Sequence, residues 1–94
     1  MAQRVRRSDL DAQVSLINGY LGRPDEPWSR GEDGKARANI GNVHLSGAYG
    51  GWQVVVMVNE GGGISTLTDY HAPMRATYEQ LRAMTAILRE AGRK

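Results

Sequence analysis

The chain has 94 residues, a net charge of +2 and no cysteine. This length allows one domain with a modest core, and the absence of cysteine excludes disulfides, thiolate metal sites and a cysteine nucleophile. No apolar run approaches the roughly 20 residues that span a bilayer, and the basic N-terminus lacks the apolar stretch of a signal peptide, so we expect a soluble cytoplasmic protein.

The N-terminal segment is basic and shows no apolar periodicity. Its cations are Arg4, Arg6 and Arg7. This composition predicts a flexible basic tail over residues 1–7, followed by a single domain over residues 8–92.

The first helix is predicted to begin at Ser8, whose hydroxyl can cap free backbone N–H groups, with Asp11 in the first turn. Its buried stripe recurs at helical spacing and consists of Leu10, Val14, Ile17 and Leu21, widened by Leu16 and Tyr20. The helix should end at Gly22, because glycine adopts the left-handed conformation that closes helices and Pro24 cannot continue one.

Residues 23–37 are rich in proline, glycine and charge, which predicts a long loop. Trp28 is its only large apolar side chain. Two interpretations of Trp28 stay open: it packs the loop against the core, or it belongs to a partner or base-stacking site. The cations of this loop are Arg30, Lys35 and Arg37.

Three strands are predicted within residues 38–70, at 38–48, 52–59 and 64–69. The glycines at 50–51 and 61–63 allow the positive φ angles that reverse a chain, so the strands should form an antiparallel meander. Ile40 shares the parity of the polar side chains of its strand, which suggests a bulge near Gly41.

The last helix is predicted to begin near Pro73 and to end at Gly92. Its buried stripe consists of Met74, Tyr78, Leu81, Met84 and Leu88, joined by Ile87. The solvated side carries Arg75, Glu79, Arg82, Arg89 and Glu90.

This order of elements predicts an α+β fold: an α-β-β-β-α two-layer sandwich in which two helices pack on one face of a three-stranded antiparallel meander. The central strand is apolar on both sides, with Trp52, Val54, Val56 and Val58 on one face and Val55 and Met57 on the other. The second face is then uncovered unless residues 23–37 fold over it. We therefore predict a protein interface composed of Gln53, Val55, Met57, Tyr49, Tyr70 and Trp28.

The turn sequences carry a resemblance. The segments 39–42 (NIGN), 47–52 (GAYGGW) and 59–63 (NEGGG) resemble those of a family of small, uncharacterised bacteriophage and prophage proteins. The similarity extends from about Ser8 to Ala91. It implies a phage context, and it implies no catalytic or binding residues.

Motifs for catalysis or cofactor binding are weak in this chain. The triple glycine lacks the Lys-Ser/Thr and helix start of a phosphate loop, and His44 and His71 lack metal-ligand spacing. The helix–three strands–helix order is that of double-stranded RNA-binding domains, yet Arg75 stands alone where those domains have a lysine cluster. We therefore expect no enzyme activity, cofactor or metal.

Two functional hypotheses remain. The first is a small phage accessory protein that binds another protein, or itself as a homodimer through the open sheet face. The alternative is a weak nucleic-acid-binding protein that uses its basic tail and loop cations, namely Arg4, Arg6, Arg7, Arg30, Lys35 and Arg37.

Overall fold

The computed structural model describes residues 4–92, which form an α+β fold. The elements in chain order are α1 (Arg7–Leu21), β1 (Trp28–Arg30), β2 (Ala36–Ala38), β3 (Val43–Ala48), β4 (Gly51–Met57), β5 (Ile64–Thr66) and α2 (Met74–Ala91). Strands β3, β4 and β5 form an antiparallel sheet in that order, and β1 pairs with β2 in a separate hairpin. The predicted fold class and the central meander are confirmed.

The core lies between the two helices and one face of the three-stranded sheet. Directly opposed residues of antiparallel strands project to the same side, and the register pairs Leu45 with Val54. Val54 is fully buried, together with Leu10 of α1 and Leu81 of α2. Both helices therefore pack on one face, with α1 against β3 and α2 against β4.

The start of α1 differs from the prediction. The helix begins at Arg7, and the carboxylate of Asp9 accepts a hydrogen bond of 2.8 Å from the Arg6 backbone N–H, so Asp9 caps the helix rather than Ser8. Val5 packs against the core. Val5 and Arg7 therefore do not belong to the predicted tail. Residues 1–3 lie outside the part of the chain that the structure describes.

A buried amide fixes α1 to the edge of the sheet. Asn18 donates to the carbonyl of Val43 at 2.9 Å and accepts from the Val43 N–H at 2.8 Å. Its side chain thus occupies the place of one residue of a neighbouring strand. This pair of bonds also closes the outer edge of β3 at that point.

Residues 28–38 form a hairpin where the sequence predicts a loop, because β1 and β2 are antiparallel partners and Trp28 lies opposite Ala38. Asn39 closes the hairpin: its backbone N–H donates to the carbonyl of Pro27 and its side-chain amide donates to that of Glu26, both at 2.8 Å. Residues 39–42 form a turn with Gly41 at φ 91°. There is thus a turn rather than a bulge, and the strand begins only at Val43.

The two predicted glycine hairpins of the meander are confirmed. Tyr49 and Gly50, with φ angles of 53° and 73°, form a two-residue turn between the paired residues Ala48 and Gly51. In the β4–β5 turn, Asn59 Oδ1 accepts hydrogen bonds from the backbone N–H groups of Gly61 and Gly63 at 3.0 and 2.9 Å.

Candidate interaction site

The sheet face that the sequence predicts to be open is covered at its two apolar positions. Val55 and Met57 are 0% and 2% exposed, so the prediction that they form an uncovered patch is wrong. The returning chain after the β1–β2 hairpin lies against Met57, whose carbonyl accepts from the Gly41 N–H at 2.8 Å. Trp28 reaches the same end of the sheet, where a Cβ at Gly62 would lie 2.8 Å from its ring.

The remaining residues of the predicted interface lie apart from one another. Tyr49 is 96% exposed at the tip of the β3–β4 turn, and its ring meets His71 edge-on at 5.6 Å between centroids, next to the exposed Tyr70. Trp28 lies beside the β4–β5 turn, at the other end of β4. Gln53 is half-buried and donates to the carbonyl of Thr68 at 2.8 Å. These side chains do not form one surface.

The predicted N-terminal cations lie at the start of α1. Arg4 and Arg6 are exposed. Arg7 pairs with Asp11 at 3.0 Å, and its guanidinium lies 4.3 Å from the centre of the Trp52 ring. Because one carboxylate already neutralises Arg7, the charge available to a phosphate chain at this end is smaller than the sequence suggests.

The predicted loop cations lie on the β1–β2 hairpin. Arg37 pairs with Asp33 at 2.8 Å, and Arg30 donates to the carbonyl of Gly34 at 2.6 Å. The backbone N–H of Lys35 and, next, the Arg37 guanidinium lower the pKa of Asp33. This hairpin therefore carries an internal ion pair, with Lys35 exposed at its turn.

An open apolar groove lies between the two helices, toward their C-terminal ends, and the sheet. It encloses about 530 Å³. The groove is lined by Ile17, Leu21, Arg23, Val43, Leu67, Ala83, Met84, Ile87 and Leu88. Ile87 is 70% exposed at its rim, which corrects the prediction that this side chain joins the buried stripe of the last helix. Helical spacing placed Ile87 beside the buried stripe, but it could not show whether another element covers that side of α2.

Arg23 supplies the charge of this groove. Of the lining side chains within residues 4–92, it alone is ionisable. Its guanidinium donates to the carbonyl of Gly41 at 3.3 Å, which holds it beside the turn that precedes β3. A ligand in the groove would therefore meet an apolar wall with one cation at its edge.

A second apolar surface runs along the outside of α1. It consists of Ala12, Leu16, Gly19 and Tyr20, which recur at helical spacing and are all exposed; we call it the outer stripe. Leu16 and Tyr20 are 44% and 45% exposed, so the prediction that they widen the buried stripe is wrong. The spacing of four between them fits either face, and only packing shows which face is covered.

A polar cleft lies between α1, β3 and residues 25–27, and its lining includes Arg7, Asp11, Ser15, Asp25 and His44. Ser15 donates to Asp25 at 3.1 Å, and His44 Nδ1 lies 3.1 Å from Asn42 Oδ1. Burial lowers the pKa of His44, which favours a neutral imidazole at pH 7. Ser15 and His44 thus bond to different partners instead of forming the nucleophile–base pair of a hydrolase. Within residues 4–92, no group of three or more acidic or imidazole side chains could hold a metal ion.

Within the described part of the chain, neither helix has the length and hydropathy that crossing a membrane requires. Comparison with protein-family models, curated proteins and solved structures finds no match to this chain.

Proposed function

We propose that this chain is a small bacteriophage accessory protein, without catalytic activity, that binds another protein in the cytoplasm of the bacterial host. The apolar groove between the C-terminal ends of α1 and α2 carries the proposal. The phage context rests on the resemblance of the turn sequences at 39–42, 47–52 and 59–63.

The groove fits an amphipathic helical segment of a partner protein. Exposed contiguous apolar surface is typical of interaction sites, and helices commonly place their apolar faces in such grooves. Arg23 at the edge favours a carboxylate at the matching end of the segment, because opposite charges across an interface set its orientation. Ile87, on the rim, would contact the entering helix.

The test compares two neighbouring substitutions on α2. Ile87→Asp places a charge on the groove, whereas Ala86→Asp places the same charge on an exposed residue that does not line it. Proteins retained from lysates of infected cells by the wild-type chain are identified and produced in pure form. Each is then titrated by calorimetry against the wild type and the two variants.

We expect Ile87→Asp to weaken binding of a purified partner by about tenfold or more, since an unpaired charge is poorly tolerated in an apolar contact, and Ala86→Asp to leave it within about twofold. Equal affinity for Ile87→Asp and wild type, with the fold intact by circular dichroism, would contradict the proposal.

A second candidate function, binding of single-stranded nucleic acid, is favoured by one observation. Tyr49 presents its ring almost completely to solvent, and stacking on exposed aromatic rings is the usual basis of sequence-tolerant binding. Addition of the protein should then increase the anisotropy of a labelled oligonucleotide at low salt, and this increase should decline steeply with added salt. The Tyr49→Ala variant should give only a small part of the increase. No increase at low salt would exclude this function.

A further inference from the structure

We infer that the outer stripe of α1 is the contact surface between two copies of this chain, with the two α1 helices antiparallel about a two-fold axis at Leu16. The inference is independent of the groove, because no residue of the outer stripe lines it. It replaces the sheet face as the site of self-association.

The outer stripe lacks the charges of an ordinary solvated helix face. Residues 12–22 contain no charged side chain at all. Exposed helix faces are normally lined with charged residues, and a large exposed apolar stripe on a soluble domain is typical of an interface. The stripe therefore has the composition of a contact surface.

The order of residues along the stripe is self-complementary. Ala12 and Tyr20 each lie four positions from Leu16, so a two-fold axis at Leu16 places Tyr20 of each copy over Ala12 of the other. A two-fold interface requires this reciprocity, because the same patch must fit itself. The missing side chain of Gly19 and the small one of Ala12 allow the helices to approach closely.

The charges at the ends of the stripe also complement one another. Arg89 of α2 donates to the hydroxyl of Tyr20 at 3.4 Å, which holds a cation at the C-terminal end. The bond of 3.1 Å between Thr85 and Gln13 shows which side of α1 faces α2. Asp9, four residues before Gln13, lies on that same side at the N-terminal end.

The antiparallel arrangement follows from these positions. A two-fold axis at Leu16 exchanges the ends of the helix and keeps its sides, so Arg89 of each copy faces Asp9 of the other. A parallel arrangement would keep the ends and exchange the sides, so Arg89 of one copy would not face Asp9 of the other. On the opposite side of α1, Asp11 is already paired with Arg7.

The contact should be weak. A single helix face buries less than the roughly 800 Å² per partner of a standard stable interface. We therefore expect a dissociation constant on the order of 10–100 µM, at the transient end of the range for specific complexes.

Sedimentation equilibrium over a wide concentration range tests the contact. Wild type should pass from monomer to dimer. Leu16→Arg should raise the dissociation constant at least about tenfold, because each copy places a buried charge against its equal. Glu79→Arg, which also places an arginine on an exposed helix face but on α2, should leave the dissociation constant unchanged. A strict monomer at about 1 mM, far above the expected constant, or a dimer that Leu16→Arg leaves intact, would overturn the inference.

Disulfide trapping tests the orientation, since the chain has no cysteine. Under mild oxidation, Leu16→Cys should form a covalent dimer because the two thiols meet at the axis. An equimolar mixture of Ala12→Cys and Tyr20→Cys should form mainly the mixed dimer. Trapping of Glu79→Cys at the same rate as Leu16→Cys, or a predominance of the two self-linked dimers in the mixture, would overturn the arrangement.

Discussion

The two helices bury similar apolar inner faces on one sheet, but their outer faces differ in charge. The outer face of α2 is exposed and charged, carrying Arg75, Glu79, Arg82, Arg89 and Glu90, whereas residues 12–22 of α1 carry no charge. Folding requires only the inner faces, since Leu10 and Leu81 are both fully buried in the core. Folding therefore does not account for the uncharged outer face of α1, and we propose that this face binds a second copy of the chain.

Substitutions in the inner faces should lower the free energy of unfolding by similar amounts on the two helices. These are the largest effects that we expect. Leu10→Ala and Leu81→Ala should each lower the free energy of unfolding by about 2–5 kcal/mol, the usual range for a buried leucine that leaves a cavity. Urea denaturation followed by circular dichroism measures both. A loss below about 1 kcal/mol at Leu10 alone would show that α1 packs much more loosely than α2, a result at odds with complete burial.

The buried polar side chains of the two helices should contribute differently to the free energy of unfolding. Asn18→Ala leaves both the N–H and the carbonyl of Val43 unpaired at the sheet edge, so it should cost about 2–3 kcal/mol. Thr85→Val, on α2, removes a hydroxyl bonded to the Gln13 side chain and to the carbonyl of Arg82, and it should cost about 1 kcal/mol because no backbone group at the sheet edge is left unpaired. The same denaturation experiment ranks the two, and an equal cost would mean that water replaces Asn18 at β3.

His44 of β3, the strand that packs against α1, should make the stability of the fold depend on pH. Burial lowers the pKa of His44 below its usual value of 6.5, so below pH 6.5 the unfolded chain takes up the proton first. The stability that depends on neutral His44 is complete above that pH and is lost as pH falls toward the folded-state pKa. Thermal denaturation between pH 7 and 5 should show a smaller decrease in Tm for His44→Gln than for wild type. Identical slopes would show that His44 titrates normally.

The outer faces should give the smallest effects on stability. Leu16→Ser and Glu79→Ser should each change the free energy of unfolding by less than about 0.5 kcal/mol in dilute solution, where the chain is monomeric, because both side chains project away from the core. Denaturation at low concentration measures this. A much larger loss for Leu16→Ser than for Glu79→Ser would mean that Leu16 belongs to the core and not to an interface.

The sequence predicted what local periodicity and turn chemistry determine. The two helices, their ends at Gly22 and Gly92, and the hairpin at Tyr49-Gly50 follow from the spacing of apolar residues and the positions of glycine. The fold class follows from the order of these elements. The hairpin at residues 28–38 was missed because its strands are three residues each, too short for an alternating pattern.

The covering of apolar faces could not be predicted from periodicity. Val55 and Ile87 are both apolar residues beside a buried stripe, yet Val55 is fully buried and Ile87 mostly exposed. Spacing fixes the side of an element on which a residue lies, and only tertiary packing decides whether that side is covered.

The most direct test of the contrast between the helices is a dilution series of the wild-type chain followed by ¹⁵N NMR. On concentration through the micromolar to millimolar range, we expect the amide resonances of Ala12, Leu16, Gly19 and Tyr20 to shift together along one saturating curve. Those of Glu79 and Arg82 on the outer face of α2 should remain fixed. Unchanged α1 resonances throughout the series, or equal shifts on both helices, would contradict the inference that the outer face of α1 is a binding surface.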